Sequence, residues 1–466
     1  MASIDPDAGP QGCFTLPETR LHLTRRTIVS YAFGSVGTGV FGAVPGLVLA
    51  YYLTNTLGVA AGAAALVVTI PKAWDVLVLP VVGRLSDRAA ERVGSRLPFL
   101  RLAGILLPLA FVLIFSVPPA LGSGLAAAWV FVAFILASTA FALFQVPYIA
   151  LSAELTDSSA ERSTLMAVRV AFLTIAILLA GALAPVIRDA LGGAYLGHFV
   201  MGVGMAVLIL VGIWLCIVGL SKARSRISPA AEGSLWAQVG EVRHDRAFVA
   251  LWSAFIVQAL ATFGMLGAGQ YYATYILDKP TAVTFLFVCL VAPAILVMPV
   301  WNWVAHRFGK VPGYLASTVI FLAGTLVLFI GGRTLSAALV YAAVAMCGMA
   351  YAGMQMFPLA MLPDCVAADT ARTGHARAGV FTGLWTAGET LGAAIGPGLV
   401  LLLLAITGFV SSRADEQVTQ PDSAISGVVL AFSAMPAVLA LISLPFIVRY
   451  GRIAPPTATT EPIQET

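Results

Sequence analysis

Apolar residues along this chain gather in long blocks separated by short polar segments, most of them basic. The blocks fall near 27–54, 58–85, 98–118, 124–154, 163–188, 196–221, 247–277, 281–306, 311–332, 335–361, 378–409 and 425–449. Each reaches or passes the roughly 20 residues that a helix needs to cross hydrocarbon. The period-two alternation of a membrane barrel is missing, and backbone in lipid must satisfy its own hydrogen bonds, so the blocks predict helices. The expectation is an all-α membrane protein with twelve transmembrane helices. Between the sixth and seventh blocks lies a polar segment broken by Pro229 and Gly233. It divides the chain into a tail (1–26), a first six-helix bundle (27–221), a cytoplasmic linker (222–246), a second six-helix bundle (247–450) and a final tail (451–466). Residues 234–246 are compatible both with a helix lying on the leaflet and with a solvated linker.

Composition strengthens this picture. Hydrophobic residues make up 59% of the 466 and charged residues only 10%, and the mean hydropathy of +0.94 is far above that of a water-soluble domain. The net charge of +4 matters less than its placement. Twelve spans put both ends on one side, where Arg25, Arg26, Arg84, Arg88, Arg92, Arg96, Arg162, Arg224, Arg307, Lys310, Arg372 and Arg449 also fall. The opposite side holds Arg188, Lys279, Arg333 and Arg413. That asymmetry places both termini in the cytoplasm, and the two asparagines, Asn55 and Asn302, neither in a glycosylation sequon, with arginine outnumbering lysine, fit a bacterial inner membrane. The first 26 residues have no apolar h-region and do not read as a cleaved signal. Five cysteines are scattered without metal-ligand or disulfide spacing, and no histidine cluster, nucleophile elbow or phosphate loop stands in the chain. An enzyme is therefore not expected, nor is a metal or a nucleic-acid partner, since the basic residues are topological.

Four ionisable residues interrupt the apolar blocks: Lys72 and Asp75 in the second, Arg169 in the fifth and Glu389 in the eleventh. A bare charge at the bilayer centre costs at least about 2.5–3.5 kcal/mol, so such groups face a cavity or pair with one another. Asp75 can bridge to Lys72 or to Arg169, and Glu389 to either base. The halves also echo each other. Pro80 to Arg88 closes the second block much as Pro299 to Lys310 closes the eighth, and Gln145-Val146-Pro147-Tyr148 finds a counterpart in Met356-Phe357-Pro358-Leu359.

Further motifs are Ser30-Tyr31-Ala32-Phe33-Gly34, Lys72-Ala73-Trp74-Asp75 followed by Pro80 and Gly83, the basic stretch from Gly83 to Pro98, Glu161-Arg162, Met361-Leu362-Pro363-Asp364, Arg372-Thr373-Gly374 and Gly383-Leu384-Trp385-Thr386. Through these residues the chain resembles the major facilitator superfamily and, within it, the glycoside-pentoside-hexuronide:cation symporters, whose best-known member is melibiose permease. It is similar also to the animal sodium-dependent lysophospholipid symporters. The resemblance implies the major facilitator fold, two pseudo-symmetric six-helix bundles around a midplane site, working by alternating access. It also implies that Asp87, Arg88, Arg92 and Arg96 form a gating loop. For the arginines, simple topological anchoring is the competing reading.

Asp75 matches the first of two aspartates that hold the coupling cation in sodium-dependent members, but Leu79 stands at the second position. Loss of that carboxylate favours H⁺ over Na⁺ as the coupling ion. Glu389 adjoins the position, here Thr390, where many members carry a lysine, and is the second candidate coupling group. Arg169 matches an arginine placed beside the solute. The two aspartates that grip a sugar correspond to Gly39 and Gln145, and Ile149 replaces a tryptophan, so the sugar clamp is absent. Candidate solute contacts are Tyr31, Gln145, Tyr148, Arg169, Gln355 and Trp385, with Gln258 and Gln270 also weighed. The expected function is cation-coupled symport of a small solute of glycoside-like type by a monomer in contact with membrane lipids, needing no cofactor beyond the ion. The alternatives are a carrier of a lysolipid or drug-like amphiphile and a non-transporting protein on the same fold.

Overall fold

The computed structural model describes residues 23–156, 158–221, 245–373, 378–414, 416 and 418–453. Most of both tails and of the segment expected as a linker lie outside them. Among the described residues twelve helices are long and apolar enough to cross a membrane. They are α1 Arg25–Asn55, α2 Ala61–Val93, α3 Leu97–Ile114, α4 Ser123–Glu154, α5 Ser159–Ala190, α6 Tyr195–Leu220, α7 Arg246–Tyr275, α8 Ala282–Phe308, α9 Lys310–Gly331, α10 Ala337–Thr373, α11 Ala378–Ile406 and α12 Asp422–Ile453.

Local sequence sets the ends. Thr24 caps α1 through Thr27 N, Ser158 caps α5 through Glu161 N, and Asp245 caps α7 through the amides of Ala247 and Phe248. These side chains satisfy amides that a helix start leaves without partners. The basic stretch after Gly83, read as a loop from the sequence, is instead the last turns of α2. The helix stops only at Gly94, whose φ of 74° is open to glycine at little cost.

Each half repeats one packing scheme. In the first half α1 packs on α5 and α6, α2 on α4, and α3 on α4 and α6. In the second α7 packs on α11 and α12, α8 on α10, and α9 on α10 and α12. The seam between the halves uses equivalent helices from each side, α2 against α11 and α5 against α8. Small residues permit the closest approaches. Gly388, Gly392 and Gly396 form a stripe on α11 that seats α7, and a Cβ at Gly392 would stand 2.4 Å from that of Ala259.

Candidate solute and coupling site

The halves meet firmly at the end away from the described termini, called here the outer end. Thr54 and Tyr271 share a hydrogen bond of 2.7 Å, Asn55 donates to the Tyr275 hydroxyl, and Thr274 bonds Tyr51 at 3.4 Å. The loop between α11 and α12 then crosses the seam. Its backbone pairs with the end of α1 through Ser412 N to Thr54 O at 2.9 Å and Ala414 N to Thr56 O at 3.2 Å, around an isolated antiparallel bridge between Leu57 and Arg413. The Arg413 guanidinium donates to Pro119 O at 2.6 Å, Leu121 O at 3.3 Å and the Tyr195 hydroxyl at 3.4 Å. Sequence placed Arg413 in a loop and gave no sign of this clasp.

Towards the terminal end the seam opens. From Ile295 to Trp303 α8 is exposed at most positions. Thr382, Thr386 and Glu389 make an exposed polar stripe on α11, which a lipid-facing surface of an otherwise apolar helix would not carry. Gly42 of α1 is exposed although that helix is largely buried, and a Cβ there would meet open space. At about 1.5 Å per residue, Gly42 lies ~26 Å from the start of α1. Gly42 and the polar stripe of α11 therefore outline a cleft on the terminal side of Gly46, whose Cβ position already contacts Leu266 of the other half.

The four ionisable residues that interrupt the apolar blocks divide, among the described residues, into a pair and two groups without an ion pair. Lys72 Nζ lies 3.5 Å from Asp75 Oδ2, with side-chain exposures of 12% and 4%. This chooses Lys72 over Arg169 as the partner of Asp75. Arg169 lies instead 5.4 Å over the Tyr148 ring, with Nε buried and without a hydrogen-bond partner. Gln145 Oε1 is likewise buried and unpartnered. Glu389 has no ion pair among the described residues; Tyr351 of α10 is its electrostatic neighbour, and Gln355 Nε2 donates to the Tyr351 hydroxyl at 2.9 Å.

Three expected solute contacts are occupied by packing. The Tyr31 hydroxyl donates to Tyr148 O at 3.0 Å, the Tyr148 hydroxyl donates to Tyr31 O at 2.8 Å, and the rings stack at 4.6 Å. Both are fully buried and staple α1 to α4. Trp385 is buried and stacked on Phe255 of α7 at 4.1 Å. Gln258 bonds Thr318 and Ser443 inside the second half, and Gln270 bonds Thr274 and Pro280 O. Gly39 is closed as well as bare, since a Cβ would meet that of Ala176 at 2.8 Å. An aspartate there would collide with α5.

The gating segment separates by burial. Arg96 donates from Nη1 to Asp87 Oδ1 at 2.7 Å and Ser86 Oγ at 2.9 Å, and from Nε to Glu154 Oε1 at 2.8 Å, tying the terminal ends of α2, α3 and α4. Burial opposes the Arg96 charge, but the bonds to Glu154 and Asp87 outweigh it and hold the group above its ordinary pKa. Arg88 and Arg92 are exposed, as topological anchors would be. In the second half Lys310 mirrors Arg96 by bonding Ala360 O at 3.0 Å and Asp364 at 2.7 Å. Sequence also missed the burial of Arg188, expected as an anchor at the outer end of the fifth block: it is 2% exposed, bonded to Asp189 Oδ1 at 2.7 Å, and 5.9 Å from the Tyr51 ring.

Comparison with known proteins points the same way. The profile of a family described as MFS/sugar transport protein matches residues 30–451. A glucuronide carrier protein homolog of Escherichia coli strain K12 is 25% identical over 84% of this chain and 86% of its own. The sodium-dependent lysophosphatidylcholine symporter 1 of Mus musculus is 24% identical over 63% of this chain and 61% of its own. Among solved structures, a bacterial homolog of the human lysosomal transporter Spinster, in an inward-facing and unoccupied conformation, shares the fold with a TM-score of 0.67 at 13% identity, covering 92% of this chain and 96% of that one.

Proposed function

This chain belongs to the MFS/sugar transport protein family and, within the major facilitator superfamily, to the glycoside-pentoside-hexuronide:cation symporters, and we propose that it couples H⁺ entry to symport of an acidic glycoside. Its fold and family are those of transporters. The carrying observation is the open polar stripe of α11 that exposes Glu389, together with Arg169 and Gln145 of the first half, each holding a buried polar atom without a hydrogen-bond partner. A guanidinium with no ion pair among the described residues suits a carboxylate on the solute, since its fork matches a carboxylate's two oxygens. Gln145, Gln355 and Glu389 supply partners for hydroxyls. The glucuronide carrier homolog supports that substrate class.

Asp75 is the coupling group in this reading. Lys72 engages Oδ2, while Oδ1 is buried without a hydrogen-bond partner and is the atom left for a proton. Glu389, in the cleft, is a second proton site. Protonation and solute loading then favour the switch jointly, because each ligand shifts the equilibrium by its differential affinity for the two states. The protein works as a monomer in the inner membrane with both termini cytoplasmic, so the conformation described is open to the cytoplasm. The similarity to the lysophosphatidylcholine symporter of Mus musculus is what favours an amphiphile as the second reading.

Uptake of radiolabelled phenyl glucuronide into proteoliposomes tests the proposal. Accumulation should follow an imposed proton gradient and vanish in Asp75→Asn, while exchange survives. Full accumulation by Asp75→Asn, or competition by lysophosphatidylcholine but not by glucuronides, would refute it.

A further inference from the structure

The surroundings of Lys72 are unusual for a lysine within a membrane span. Its ammonium lies 4.5 Å from the centroid of the Phe41 ring, 5.6 Å from that of Phe141 and 5.9 Å from that of Phe134. Those rings come from α1 and α4, so three faces of negative quadrupole surround the charge, with Asp75 Oδ2 at 3.5 Å on the remaining side. Ser138 Oγ of α4 is buried and lies beside the same carboxyl. Leu79, one turn beyond Asp75, adds no oxygen ligand. A carboxylate, a hydroxyl and aromatic faces enclosed by α1, α2 and α4 are what a desolvated monovalent cation would meet there.

We propose that the Lys72 ammonium is a tethered cation, filling beside Asp75 the place that a free Na⁺ would otherwise take, and that this residue sets the ion specificity of the transporter. The inference rests on the reading of Asp75 as the coupling group. A simple structural ion pair would need no aromatic enclosure, and snorkelling is closed to a side chain pointed inward between three rings. An ammonium attached to α2 cannot leave with the solute. The site then keeps its positive charge through the cycle and takes no sodium.

The test is thermal melting of the purified full chain in NaCl against choline chloride at equal ionic strength. Wild type and Lys72→Arg should melt within about 1 °C in the two salts. Lys72→Ser, which removes the charge and adds a hydroxyl, should gain a Na⁺-specific rise of about 3 °C or more, because an ion that binds only the folded state stabilises it. Adding Asp75→Asn should abolish that rise. A Na⁺-specific rise in wild type, or none in Lys72→Ser, overturns the proposal. Should Lys72→Ser not fold, Lys72→Gln, which keeps a long stem between the rings, takes its place. Failure of both to fold would make Lys72 a structural ion pair and also overturn it. These readings are independent of solute uptake, so retained accumulation in Asp75→Asn would sink the coupling assignment without being mistaken for failure of the tether.

Discussion

Arg413 offers the most direct handle on the conformational cycle. Replacing it with alanine deletes the side-chain donors to Pro119 O, Leu121 O and Tyr195 but leaves the backbone pairing of Ser412 and Ala414 with α1 in place. A hydrogen bond from a charged donor contributes about 1.5–3 kcal/mol when well shielded. The clasp is partly open to water, and only the Pro119 bond is short. A net loss of about 1–2 kcal/mol is therefore the reasonable range, equivalent to a roughly 5–30-fold shift in the equilibrium. If the outer-open state begins near 1%, it rises to about 5–25%. Spin labels at Ser123 and Ser336, exposed at the outer ends of the two halves, would report this in pulsed dipolar spectroscopy as a new population at longer separation. Arg413→Lys should fall between wild type and alanine, since one ammonium cannot reach acceptors spread over two loops as well as a guanidinium fork. An unchanged distance distribution in Arg413→Ala would refute the view that this side chain helps to hold the outer end shut.

Arg96→Ala leaves Glu154, with 2% side-chain exposure, without its buried partner, and should cost about 3–5 kcal/mol; the fall in melting temperature should be partly recovered by adding Glu154→Gln. Gly392→Val forces a side chain into a gap where its Cβ already lies 2.4 Å from that of Ala259, so overpacking of about 1–3 kcal/mol should appear as reduced thermal stability and yield, with Gly42→Ala, which points into open space, as the silent control. Arg169→Ala removes no ion pair among the described residues, only the contacts with the Tyr148 ring and Met166 Sδ, and should leave melting nearly unchanged while weakening phenyl glucuronide binding by about tenfold or more, as expected when a charged hydrogen bond to a ligand is lost; equal binding by the variant would remove Arg169 from the solute site.

Much of this architecture was legible in the chain because hydrocarbon imposes its demands on each segment separately. A span must be long, apolar and self-satisfied in hydrogen bonding, so the twelve blocks, their order and the bias of arginines to one side could be read locally. The cost of a charge in such a block likewise singled out Lys72, Asp75, Arg169 and Glu389 before any geometry was known. Pairing could not be read in that way. Which base meets Asp75 depends on the rotation of α2 against α1 and α4, and the structure selects the residue one turn away, held among rings from two other helices. The same dependence turned Tyr31, Tyr148 and Trp385 from solute contacts into packing residues, and made a clasp of Arg413 and a buried group of Arg188. Sequence determined that these helices exist and which charges they carry, because those are properties of one segment in one solvent. Only the tertiary structure decided which charges are paired, which face the cleft and which end is shut, because each is a relation between helices far apart in the chain.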